Sequence, residues 1–97
     1  MIRHIVMWTL AAADPAQRDD DAAQIATALQ GLVGVVPSVR SLVVTRNVEA
    51  VEGNSDLVLE AVFDDRAGLD AYLVHPAHLD AVAIVRARVN GRAAIDI

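Results

Sequence analysis

"DLVLEAVF", residues 56–63, decides the fold, because apolar side chains stand on both of its faces. In a strand, successive residues point to opposite sides. Leu57, Leu59, Ala61 and Phe63 then share one face, while Val58 and Val62 lie on the other beside Asp56 and Glu60. A sheet with one wet face alternates cleanly between apolar and polar residues. This strand does so only weakly, so each of its faces needs a cover.

Upstream, "IRHIVMWTL" at 2–10 is a second apolar run rich in β-branched and aromatic residues. Its Ile2, His4, Val6, Trp8 and Leu10 face one way, and Arg3, Ile5, Met7 and Thr9 the other. A helix is expected over 15–33. Asp14 is its N-cap, Pro15 its first helical residue, and Ala22, Ile25, Ala26, Leu29, Leu32 and Val33 form one apolar stripe that Gly34 and Pro37 end. The acidic run "RDDD" at 18–21 reads as a solvated helix face. Residues 38–48 read as a further strand, and "EAVEGNS" as a polar turn. After 56–63, Asp64 or Asp65 caps a short helix over 65–73 with Leu69, Tyr72 and Leu73 inward. Pro76 restarts the chain as a helix over 76–89, with Leu79, Val82, Ala83 and Val85 or Val89 inward. Gly91 stops it, and "RAAIDI" at 92–97 is the last strand.

The order β-α-β-β-α-α-β is the split βαβ pattern of a ferredoxin-like α+β fold with its second helix broken. Residues 1–97 form one domain around one antiparallel sheet. Helices cover only one face of such a sheet. The second dry face is most simply covered by the sheet of a second copy, so a homodimer is expected.

Composition narrows the function. A net charge of −5 argues against a nucleic-acid surface. All eight cations are Arg, a pattern of GC-rich coding rather than of phosphate recognition. The absence of Cys removes disulfides, thiolate nucleophiles and thiolate metal sites. No window reaches the length of a membrane span and no cleavable leader is evident, so a cytoplasmic protein is the default. There is no internal repeat and no phosphate-cradling glycine loop.

The chemistry-bearing residues cluster in "AYLVHPAHLD", residues 71–80, which holds the only Tyr and two of the three His. With Pro76 at the first helical position, His75 falls at the N-cap and His78 in the first turn. A helix N-terminus disfavours the imidazolium, so a ring there tends to stay neutral and can act as a base. His75 reads as a cap; His78 is either a base or a solvated first-turn residue. Tyr72, six positions before His78, is either a core residue or its partner across the helix corner. His4 is either a buried ring bonded to a neighbour or a pocket group. The spacing offers no convincing metal site.

"IRHIVMWTL", "DLVLEAVFDD" and "LDAYLVHPAHLDAV" together resemble the stress-responsive A/B barrel (dimeric α/β barrel, Dabb) family over nearly the whole chain. "IRHIV" and the Y-x-x-HP-x-H segment are the most specific marks. The resemblance implies a ferredoxin-like subunit whose sheet pairs with another's in a dimeric barrel. One member type, a plant polyketide cyclase of the olivetolic acid type, closes a linear polyketide by aldol condensation without metal or organic cofactor. The resemblance thus implies Tyr72 and His78 as the catalytic pair, His4 as a pocket residue, and His75 as a signature residue outside the pair. Where that cyclase has another pocket histidine this sequence has Leu57, so the implied pocket is less polar. Trp8 and Leu57 join His4 as the expected substrate-binding set.

The function expected is a homodimeric barrel that binds a small hydrophobic oxygenated molecule and abstracts a proton beside its carbonyl. An aldol-type cyclisation or an isomerisation would follow, as in a cofactor-independent lyase or isomerase. Two other classes fit the same residues: a stress-responsive or ligand-binding protein without turnover, and a cofactor-free monooxygenase-like barrel.

Overall fold

The computed structural model of the chain describes residues 1–97. Its elements run β1 (Ile2–Leu10), α1 (Pro15–Gln30), β2 (Ser41–Arg46), β3 (Leu57–Phe63), α2 (Arg66–Val74), α3 (Pro76–Arg86) and β4 (Val89–Asp96). The strands form one antiparallel sheet in the order β2-β3-β1-β4, with the two most apolar strands at its centre. This is the ferredoxin-like α+β arrangement.

Register gives each face its character. On the helix-covered face, Leu42, Ala61, His4 and Asp96 form one row across the sheet, and Val44, Leu59, Val6 and Ala94 the next. Together with Ile25 and Leu29 of α1, Leu69 and Tyr72 of α2, and Val85 of α3, the apolar members of this face build one continuous core. The opposite face carries Val43, Glu60, Ile5 and Ile95 in one row and Thr45, Val58, Met7 and Ala93 in the next. Met7 and Val43 are 39% and 53% exposed there. Nothing within the chain covers this side.

Local signals start the helices. The Asp14 carboxylate accepts from the Gln17 N–H, and Asp65 from the Gly68 N–H, each capping its helix. Asp64, the other candidate cap, instead pairs with Arg40, whose hydrogen bond holds its carboxyl below the usual range. His75 is extended, as the residue before a proline prefers, and its Nδ1 accepts from the Ala77 N–H at 3.1 Å. It therefore breaks α2 from α3 and caps the latter.

Several boundaries differ from those expected. α1 stops at Gln30, not 33. Gly34, at φ +82°, turns the chain so that Leu32 and Val36 fold back onto the core while Val33 is exposed. The apolar spacing thus runs on past the helix because the turn packs against the same core. β2 occupies Ser41–Arg46, the stretch that pairs with β3, rather than 38–48. α3 ends at Arg86, three residues early, and β4 begins at Val89. Gly91 lies inside β4, opposite Thr9, where a Cβ would come within 3.2 Å of the Thr9 hydroxyl. It permits a close strand approach beside the β1 bulge rather than stopping a helix.

α3 departs from the expected inner set at Ala83, whose place Ala81 takes, while Leu79, Val82, Val85 and Val89 do face the space between α3 and the sheet. Ala81 and Val85 are buried, whereas Ala83 is exposed and Leu79 is 54% exposed. The acidic run is not simply solvated either. Arg18 donates to Asp56 at 2.6 Å and to the carbonyls of Leu10 and Ala12, and buried Asp21 accepts from Gln17. Asp56 in turn accepts from the Leu10 N–H and is buried just before β3, not set on its outer face. This network closes the end of β1 against α1. No helix is long and apolar enough to cross a membrane.

Candidate active site

A cavity of about 730 Å³ opens between α3 and the β1–β4 side of the sheet. That is within the range of small-molecule sites. β1 contributes His4, Val6 and Trp8 on alternate positions, and Leu29 and Leu59 close the apolar floor. Tyr72 from α2 and His78 from α3 meet there because His75 and Pro76 bend the chain between them.

Tyr72 is 1% exposed and packs on Phe63 with ring centroids 5.1 Å apart. Its ring also lies 4.2 Å from that of His78 and edge-on to His4 at 6.3 Å. Burial alone pushes the phenol up to about 12, with no hydrogen bond or charge offsetting it. The Tyr72 side chain thus lines the cavity as a protonated donor with no protein acceptor.

His78 Nδ1 lies 3.2 Å from the carbonyl oxygen of Leu73. A carbonyl can only accept, so Nδ1 carries the proton and the neutral ring leaves Nε2 with a free lone pair. Burial is the largest influence on this ring and lowers its pKa; the Leu73 bond pulls the other way, and the charges of His4 and Arg92 add to the lowering. His78 is therefore a neutral base at pH 7.

His4 Nδ1 lies 2.5 Å from an Asp96 carboxylate oxygen. The His4 bond holds the Asp96 carboxyl below its usual range, with Arg66 adding to it from 3.4 Å. Asp96 is then an acceptor at neutral pH and His4 Nδ1 the donor, which fixes the ring and turns its other nitrogen away from the carboxylate. No three potential ligands gather closely enough to hold a metal ion.

The structure brings four of the five expected site residues, His4, Trp8, Tyr72 and His78, to one cavity. Leu57, the fifth, is buried and is not among the residues that line it. In its row Leu57 sits on the β2 side of Trp8, one strand further from β4. Leu59, one row along and paired with Val6, does line the cavity. Asp96, Arg92, Asn90 and Arg86 were not foreseen. The alternation of Arg92, Ala94 and Asp96 is visible in the sequence, but only the β1–β4 register sets Asp96 against His4 and Arg92 against Trp8.

The model of the stress responsive A/B barrel domain family (Dabb) matches residues 2–97. No curated protein matches the chain by sequence. Among solved structures, a dimeric protein of unknown function with a ferredoxin-like fold from Bacteroides fragilis superposes with a TM-score of 0.87 at 23% identity, covering 99% of this chain and 93% of that one. A dimeric ferredoxin-like protein of unknown function from Thermobifida fusca gives 0.82 at 29% identity, covering 99% and 88%. A hydroxynitrile lyase from Passiflora edulis gives 0.73 at 14% identity, covering 99% and 90%, and shares the fold alone.

Proposed function

We propose, since this chain belongs to the stress responsive A/B barrel domain family, that it works as a homodimer whose subunits each bind a small hydrophobic carbonyl compound and abstract a proton beside its carbonyl. The observation that carries the chemistry is the pair of Tyr72 and His78, 4.2 Å apart in one cavity, one a donor without a partner and the other a base with a free lone pair. The uncovered apolar sheet face supports the dimer, as does the dimeric state given for the Bacteroides and Thermobifida proteins.

In the proposed step His78 Nε2 takes the proton from the carbon next to the carbonyl. The C–H electron pair moves toward the carbonyl oxygen, and the Tyr72 hydroxyl donates to the enolate oxygen that forms. His4, held by Asp96, offers a further polar contact on the same wall. The enolate carbon then either attacks a second carbonyl of the same molecule, whose oxygen takes the proton back from His78, as in an aldol-type cyclisation, or the extended enolate regains that proton from His78 at another carbon, as in an isomerisation. No metal or organic cofactor enters. A monooxygenase-like reading is less favoured, because one Trp, one Tyr and one Phe give little surface for stacking a polycyclic substrate.

Exchange of the α-hydrogens of 2-octanone for deuterium, followed by NMR, tests the step. The protein should accelerate exchange above buffer, and His78→Ala should lower the accelerated rate on the order of a hundredfold without moving Tm. Tyr72→Phe should give a smaller loss. Exchange no faster than buffer would leave a binding protein without turnover, and accelerated exchange unchanged in both variants would remove Tyr72 and His78 from the step.

A further inference from the structure

Six of the eight arginines, at positions 3, 18, 40, 46, 66 and 88, lie within ion-pair distance of a carboxylate. The remaining two, Arg86 and Arg92, have no carboxylate partner in the chain, and both line the cavity. No Asp or Glu lines it. In a protein of net charge −5, the mouth of this apolar cavity is thus a place where positive charge is left uncompensated. Arg86 comes from the last turn of α3, where the helix dipole favours a cation, but the dipole does not account for the missing acidic neighbour. Arg92 comes from β4, across the sheet from Trp8, and its charge reaches the ring of His78.

We propose that Arg86 and Arg92 form an anion-reading mouth, and that the natural ligand is an amphipathic organic acid: an aliphatic body in the cavity, a carboxylate at the mouth. This deepens the ligand-binding reading above and rests on it. The lining divides accordingly. Val6, Leu29, Leu59 and Val85 are buried and offer only apolar contact, while Arg86, Asn90 and Arg92 are lining residues exposed to solvent. A guanidinium matches a carboxylate through two parallel hydrogen bonds. An acid anchored there places its chain toward Tyr72 and His78, so a keto acid would be held by one end while its carbonyl meets the donor and the base. The arginines are specificity residues in this scheme, not catalytic ones.

Trp8 is the only tryptophan and lines the cavity, so its fluorescence reports occupancy directly. Octanoate and 1-octanol share a chain length and differ in charge. Octanoate should bind at least about tenfold more tightly at low salt, an advantage that shrinks as salt screens the mouth. Arg86→Gln and Arg92→Gln should each weaken octanoate several-fold and together erase the preference, leaving 1-octanol affinity and Tm unchanged. Equal binding of the two probes overturns the anion-reading mouth while the apolar cavity stands. Equal loss of both probes in the variants also overturns it, because the arginines then shape the cavity rather than read charge. Failure of both probes to bind the native protein removes the ligand-binding reading and this proposal with it.

Discussion

The two faces of the sheet come from the same strands and differ by one residue of register. On one face the row Leu42, Ala61, His4, Asp96 lies under helices; on the other, Val43, Glu60, Ile5 and Ile95 lie open. The covered face is dry through the protein's own helices and can hold polar groups, because each has a partner or a cavity to face. His4 has Asp96, and His78 has the Leu73 carbonyl. The open face has comparable aliphatic content but no internal cover, and its one crossing ion pair, Arg3 with Glu60, is exposed. In the proposed reading the inner face houses the chemistry and the outer face recognises a second copy. Apolar residues alone do not separate the two; the position of the helices does.

The largest contrast should appear on truncating one residue from each face. Phe63, fully buried against Tyr72, should lose about 3–5 kcal/mol of stability as Phe63→Ala. Val43→Ala on the open face should change denaturant stability of the dilute protein by less than about 1 kcal/mol. Equal losses would mean that the faces are not distinct.

Next in size is a charge placed on the open face. Ile5→Asp sets a second carboxylate beside Glu60 and should weaken self-association by about 3 kcal/mol, roughly a hundredfold in Kd. Light scattering should report a dimer mass for the native protein at micromolar concentration and a monomer mass for the variant, with the fold retained. A native monomer would sink the assignment of the outer face.

A smaller effect belongs to the covered face alone. The phenol ionises near 10 in the unfolded chain and near about 12 when buried. Between these values the unfolded chain holds fewer protons, so stability should be level below pH 10 and fall by roughly 2–3 kcal/mol as pH rises toward 12. With one Tyr in the chain, phenolate absorbance gives the midpoint directly. A midpoint near 10 would mean that the ring is open to water.

Much of the architecture was legible in the residues. Alternation in 2–10 and 57–63, the Asp14–Pro15 and His75–Pro76 helix starts, and apolar residues on both faces of the sheet all follow from local physics. The errors fell where tertiary pairing overrides local preference. "VNGRAAID" is a poor strand by propensity and becomes one because it pairs with β1 across the bulge at Thr9 and Leu10. Leu32 reads as helix because the turn at Gly34 returns it to the core. The site divided the same way: Tyr72 and His78 are six residues apart and visible together, whereas Asp96 reaches His4 from 92 residues away. Strand parity puts Leu57 on the covered face but does not say which residues of that face line the cavity.

Chemistry on the inner face requires that His78 be a neutral ring protonated on Nδ1, with Nε2 free in the cavity. Long-range proton–nitrogen NMR of the three histidines across pH measures this directly. His78 should show the Nδ1–H tautomer at pH 7 and a titration midpoint below its ordinary 6.5, with stability falling on acidification from about 6.5 down to that midpoint, as the unfolded chain takes up the proton first. A His78 ring protonated on Nε2 at pH 7, or titrating at or above 6.5, would contradict its role as the base.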